Sequence, residues 1–265
     1  MSARVPLAAV AAGLLALSCG GQEKSPETDR TPPAAGAREA APAAAPRAGG
    51  YRAVEVASGG SIRGRVLYQG TPPPRDPVDI TKDRAVCAEH THLSESLVVG
   101  KRGGVRYAVV SIDPVPSGKA FPAGDRPRLD QRGCWFHPHL QVVPAGAEID
   151  ILNSDGILHN IHTFPENNDP INMAQPKFRK VMTTSFAEPD LVRVSCDVHN
   201  WMSAWIVVAA HPYHGVTGED GSFLLDDVPP GTYTLRVWHE TLGTRERPVT
   251  VSPGGRVEVD LTFGG

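Results

Sequence analysis

The apolar positions of this chain fall in short runs, most of them alternating with polar residues, which is the signature of half-buried strands. Residues 148–153 alternate in this way and run into the turn Ser154-Asp155-Gly156. Val192, Val194 and Cys196 share one face of a second strand, and residues 204–208 predict a third. Ile62, Val66 and Tyr68 line one face of residues 61–68, which the run Gly70-Thr71-Pro72-Pro73-Pro74 stops. Residues 105–112 are apolar on both faces, as for a strand buried between layers. Late in the chain, Tyr233, Leu235 and Val237 point one way, as do Val257, Val259, Leu261 and Phe263. Helical patterning is confined to a short stretch at 82–90. The pattern predicts an all-β sandwich architecture over residues 59–265, long enough for one large or two small domains.

The first 58 residues read differently. Arg4 precedes an apolar run at 5–17, too short for a comfortable membrane span and typical of an export signal. Its end, Ala16-Leu17-Ser18-Cys19-Gly20, resembles a bacterial lipoprotein cleavage site, which implies a signal peptide over 1–18 and a lipid on Cys19; an ordinary secretory peptide is the other reading. Residues 19–58 are rich in Ala, Pro, Gly and charged side chains and cannot offset their ordering entropy by burial, so they read as a disordered tether. Removing 1–18 deletes Arg4, the one charged side chain there, and takes the formal net charge from −3 to −4. That balance gives no reason to expect a nucleic-acid partner. The expected location is the bacterial cell envelope, membrane-anchored through the N-terminal lipid and facing the periplasm or exterior.

Candidate chemistry concentrates in Ser195-Cys196-Asp197-Val198-His199-Asn200-Trp201-Met202. A thiolate, an imidazole and a thioether are metal donors, the sulfurs are soft, and two His, one Cys and a weak axial Met describe a blue-copper electron-transfer site. Upstream, Asn153, a polar loop and then His159-Asn160 stand about forty residues before Cys196-x-x-His199. This arrangement is similar to the plastocyanin-like cupredoxins, and the strand with its Pro144-Ala145-Gly146 turn fits the same resemblance. The resemblance implies a Greek-key sandwich over 105–210 binding one copper ion through His159, Cys196, His199 and Met202, and an unidentified redox partner protein. The chain departs from the family in placing two residues rather than four between His199 and Met202, which makes the axial position the least secure.

Other residues have weaker claims. His162 lies three residues from His159, on the opposite face of a strand, and is an alternative ligand at most. His139, beside His137, and Trp201 are candidates for the surroundings of the site, with Trp201 and Trp205 expected to wall it off from water. His211, His214 and His239 read as structural or solvated. With Cys19 assigned to lipid and Cys196 to metal, Cys87 and Cys134 remain; in an oxidising compartment they are expected to pair, with free buried thiols as the alternative.

The C-terminal stretch Asp220-Gly221-Ser222-Phe223, followed by Val228-Pro229-Pro230-Gly231-Thr232-Tyr233, resembles carboxypeptidase regulatory-like domains, small transthyretin-type sandwiches. Their first strand has its match far upstream, at Gly60-Ser61-Ile62-Arg63-Gly64-Arg65-Val66. The implied layout is a first strand and connecting region at 59–104, then 105–210, then a regulatory-like part at 211–265, with the cupredoxin-like module inserted into or clasped by the smaller sandwich. Three function classes follow: copper-dependent electron transfer, copper handling or structural binding without redox turnover, and an enzyme with Cys196 as nucleophile and His199 as base. The last lacks a visible orienting residue or oxyanion arrangement, so the chain is not expected to be an enzyme.

Overall fold

The structure is a computed structural model that describes residues 50–89 and 91–264. The expected signal peptide, Cys19 and most of the tether lie outside the described residues. The tether's last stretch does not: Arg52–Ala53 pairs in parallel with Ser117–Gly118, so ordered chain begins ahead of residue 59.

Two β-sandwiches share the described chain, each around its own core. In the first, strands Val109–Asp113, His214–Val216, Gly231–His239 and Gly243–Val251 make one sheet. The facing sheet is built on Gly60–Gln69, which pairs with Ser222–Val228, Arg256–Glu258 and Leu261–Gly264. Alternation dictates what lies between them: Ile62, Val66, Val110, Ile112, Leu235, Val237, Leu261 and Phe263 meet in one cluster. The glycine at 64 is required by a crossing, since a Cβ there would lie 1.8 Å from the Val259 carbonyl oxygen. The Pro-Pro-Gly-x-Tyr stretch closes a corner, with the Tyr233 hydroxyl donating to the Pro229 carbonyl at 2.7 Å.

The strands of the second sandwich lie within residues 128–209, and Ile80 and Cys87 from the preceding connection join its core. Its five-stranded sheet runs, in spatial order, Asn172–Gln175, His159–Phe164, Asp190–Ser195, Ser203–Ala209 and Leu140–Pro144. Its four-stranded sheet is Val181–Ser185, Glu148–Asn153, Arg128–Gln131 and Phe136–His137. Leu129, Phe136, Ile149, Ile151, Ile161, Val192, Val194 and Ile206 fill the space between. The two ends of this module meet at one side chain. The Lys119 amide donates to the Tyr213 hydroxyl at 2.8 Å, and that hydroxyl donates to the Asp227 carbonyl at 3.0 Å.

The cupredoxin-like module is therefore an insertion within the smaller sandwich. One boundary moves. Residues 105–112 were expected to open the cupredoxin-like part, but Val109–Asp113 lies between His214–Val216 and Gly231–His239, and Val105, Val110 and Ile112 are core of the host sandwich. The expected helix at 82–90 shrinks to one turn, Arg84–Cys87. Where the modules touch, Leu140 packs with Val109 and Tyr107, joined by Val142, Trp205, Val207 and Trp238.

Candidate metal centre

Strand alternation and one register place the site. Val192, Val194 and Cys196 all point into the core, so the thiol arrives buried at the end of Asp190–Ser195. His159 opens the neighbouring antiparallel strand, whose register sets His162 against Ser195 and so carries His159 toward the loop that follows Cys196. That loop turns back through the Met202 amide, which donates to the His199 carbonyl at 2.9 Å before Ser203–Ala209 begins.

Three donor atoms converge there. The Nδ1 atoms of His159 and His199 are 3.1 Å apart, and Cys196 Sγ is 3.8 Å from His199 Nδ1. His159, Cys196 and His199 are 0%, 1% and 0% exposed. Bonds of about 2.0 Å to imidazole nitrogen and about 2.3 Å to thiolate sulfur reach a common point from donors so separated. Met202 is buried in the same apolar cluster as Cys196.

Each imidazole is held from behind by a carboxylate. His159 Nε2 lies 2.8 Å from Asp155 Oδ2, and His199 Nε2 lies 2.9 Å from Asp83 Oδ2. With Nε2–H donated outward, the Nδ1 lone pairs of both rings turn toward Cys196. Asp155 is itself fixed, accepting from the Gly133 and Cys134 amides at 2.5 and 2.8 Å. Burial works against its charge, but the hydrogen bonds from His159 and these two amides outweigh that and lower its pKa. For Cys196, burial pushes the thiol up, and hydrogen bonds to His159 and His199 overturn it, favouring the thiolate. For His159, burial favours the neutral ring, and Asp155 with Cys196 reverses it. A buried sulfur converging with two imidazole nitrogens is a donor set suited to a soft cation.

Cys87 and Cys134 form a disulfide, the expected pairing, and Cys196 is the free cysteine among the described residues. The bridge stands in the wall of the site: both of its sulfurs and one nitrogen of His199 lie within 4.8 Å of one another. Trp201 also belongs to that wall, its ring 5.1 Å from that of His199 and its Nε1 donating to the Cys134 carbonyl at 3.2 Å.

Three other candidates lie elsewhere. His162 is half-buried, pairs with Asp197 at 2.9 Å and packs on Phe164. His139 sits at the junction between modules, hydrogen-bonded to Glu240 and tilted against Tyr107 at 4.9 Å. Trp205 faces that junction too, donating to Glu240 at 2.9 Å and packing on Trp238, because alternation along Ser203–Ala209 sends it to the face opposite Ala204 and Ile206. Sequence reasoning missed Asp155 and Asp83. The first had a local signal, standing four residues before His159; the second had none.

Residues 203–264 match the carboxypeptidase regulatory-like domain. The sheets add Gly60–Gln69 and Val109–Asp113 to that domain and place Ser203–Ala209 in the inserted module. Several solved structures are similar to part of the chain. A purple cupredoxin from Nitrosopumilus maritimus is 18% identical, with 31% of this chain and 99% of that one covered at a TM-score of 0.27. Amicyanin from Paracoccus versutus is 16% identical, with 33% and 85% covered at 0.29. Plastocyanin from Dryopteris crassirhizoma is 15% identical, with 31% and 99% covered at 0.28. No curated protein matches the chain in sequence.

Proposed function

We propose that this protein binds one copper ion at His159, Cys196 and His199, with Met202 as a weak axial ligand, and serves in electron transfer at the cell envelope. The observation that carries the reading is the convergence of two Nδ1 atoms and one thiol sulfur in a buried pocket, with both outer nitrogens held by carboxylates. Soft thiolate and borderline imidazole together accommodate both common oxidation states of copper. Bound there, copper supplies the one electron that is held or released. The chain's own part is to keep the three donors fixed and dry, so that little reorganises when charge changes. Asp155 and Asp83 fix ring orientation, the disulfide and Trp201 close one side, and the apolar cluster around Met202 closes another. Cys19 would tether the whole to a membrane surface, with a redox protein as partner.

One observation favours a second reading, copper storage without turnover: no ligand edge reaches the surface, since His199 is covered by Asp83. The optical spectrum of the copper-loaded protein separates the two. A strong visible thiolate-to-copper band that disappears in Cys196→Ser, with reversible one-electron reduction, supports electron transfer. A colourless protein that takes zinc in preference to copper overturns it.

A further inference from the structure

The wall of the metal centre contains a second triad. Cys87 Sγ, Cys134 Sγ and a nitrogen of His199 lie within 4.8 Å of one another, and all three residues are fully buried. With the disulfide closed these sulfurs ligate nothing. Reduction by a dithiol changes that: the S–S bond takes two electrons and two protons, the reductant becomes a cyclic disulfide, and two thiols remain beside an imidazole.

Both cysteines are held in place by contacts that do not depend on the S–S bond. The Cys134 amide donates to Asp155 at 2.8 Å, and its carbonyl accepts from Trp201 Nε1 at 3.2 Å. The Cys87 amide donates to the Asp83 carbonyl at 2.9 Å, and the Asp83 carboxylate is anchored to His199 Nε2 at 2.9 Å. Opening the bridge therefore leaves the two sulfurs facing His199. When a metal displaces their protons, the two sulfurs and one imidazole make a soft set that prefers copper(I).

We propose that Cys87, Cys134 and His199 form, on reduction, an alternative metal site for copper(I), which takes His199 in place of the first centre. Binding releases the two thiol protons. The site rests on its own three residues, so it is tested where the first centre is removed.

The experiment uses the full chain carrying Cys196→Ser and His159→Ala, which leaves His199 as the one imidazole of the first centre. It is reduced with a phosphine, cleared of reductant without oxygen, and titrated with copper(I) against a chromophoric copper(I) chelator. The expected result is one copper(I) per chain after reduction and none before, with far-ultraviolet circular dichroism unchanged. Two thiols alone would chelate copper(I) anywhere, so His199→Ala on the same background is decisive: affinity must fall at least tenfold. Unchanged affinity in that variant overturns the triad, as does no binding after reduction, or loss of the β signal on reduction before metal is added. A colourless copper-loaded parent protein would overturn the first centre and leave this result standing.

Discussion

His199 Nε2 lies 2.9 Å from a carboxylate oxygen of Asp83, a residue 116 positions earlier in the chain. The contact turns the ring's other nitrogen toward Cys196 and His159, so the tautomer of a proposed ligand is set by a residue outside both sandwiches. Partners of this kind typically account for 10- to 100-fold in metal affinity. Asp83→Ala is expected to weaken copper binding about tenfold, because its side chain is 46% exposed and water replaces it. Asp155→Ala, 5% exposed and also holding two backbone amides, should cost closer to 100-fold. Chelator competition on the two variants measures both, and affinities equal to the parent's would refute the orienting role.

Met202 tests the axial position. A long, weak thioether tunes potential more than it holds metal. Met202→Leu keeps the buried volume filled, so copper should stay bound while the reduction potential shifts. Voltammetry of the two proteins side by side decides, and an unchanged potential would remove Met202 from the ligand set.

The bridge between Cys87 and Cys134 closes a loop with a sequence separation of 47. In the chain-entropy model such a loop contributes about 4 kcal/mol, so reduction of the metal-free protein should lower its unfolding free energy by roughly that amount in urea. Mass mapping should find both thiols protected from alkylation until reductant is added. Labelling of either cysteine in the untreated protein would contradict the closed bridge.

The host sandwich has a complete core of its own, from Ile62 to Phe263, and the inserted module leaves and returns at Lys119 and Tyr213. Replacing residues 120–212 with a short Gly-Ser linker should leave a folded β-sandwich with a cooperative thermal transition. The excised chain should bind no copper at a visible site, since His159, Cys196 and His199 all go with the insert. A chain without strand signal would show that the host depends on its guest.

Most of the strand content was legible because alternation is a local property. Val192, Val194 and Cys196 point inward as their spacing requires, and residues 148–153 form the strand that their pattern predicts. Pairing is not local. The apolar stretch at 105–112 carries no mark of which sheet receives it, and it joins the host rather than the insert. The three central donors were legible as types and spacings that a soft metal needs. Their carboxylate partners were not, since Asp83 reaches His199 only through the path of a connecting segment without periodic pattern. Trp205 was misplaced for a simpler reason: an aromatic residue near a ligand in sequence can face the other side of the sheet, and it does, meeting Glu240 at the junction where His139 also lies.

The burial of His159, Cys196 and His199 also governs time. With no ligand atom open to solvent, an ion enters or leaves only when part of the surrounding wall opens, and such local openings have free energies of their own. Exchange of the bound ion should then proceed at a pace set by the segment bearing Asp83 and Cys87 rather than by the strength of the bonds it covers. A centre of moderate affinity would hold its ion for long periods, and its occupancy in the cell would record the conditions under which the chain folded.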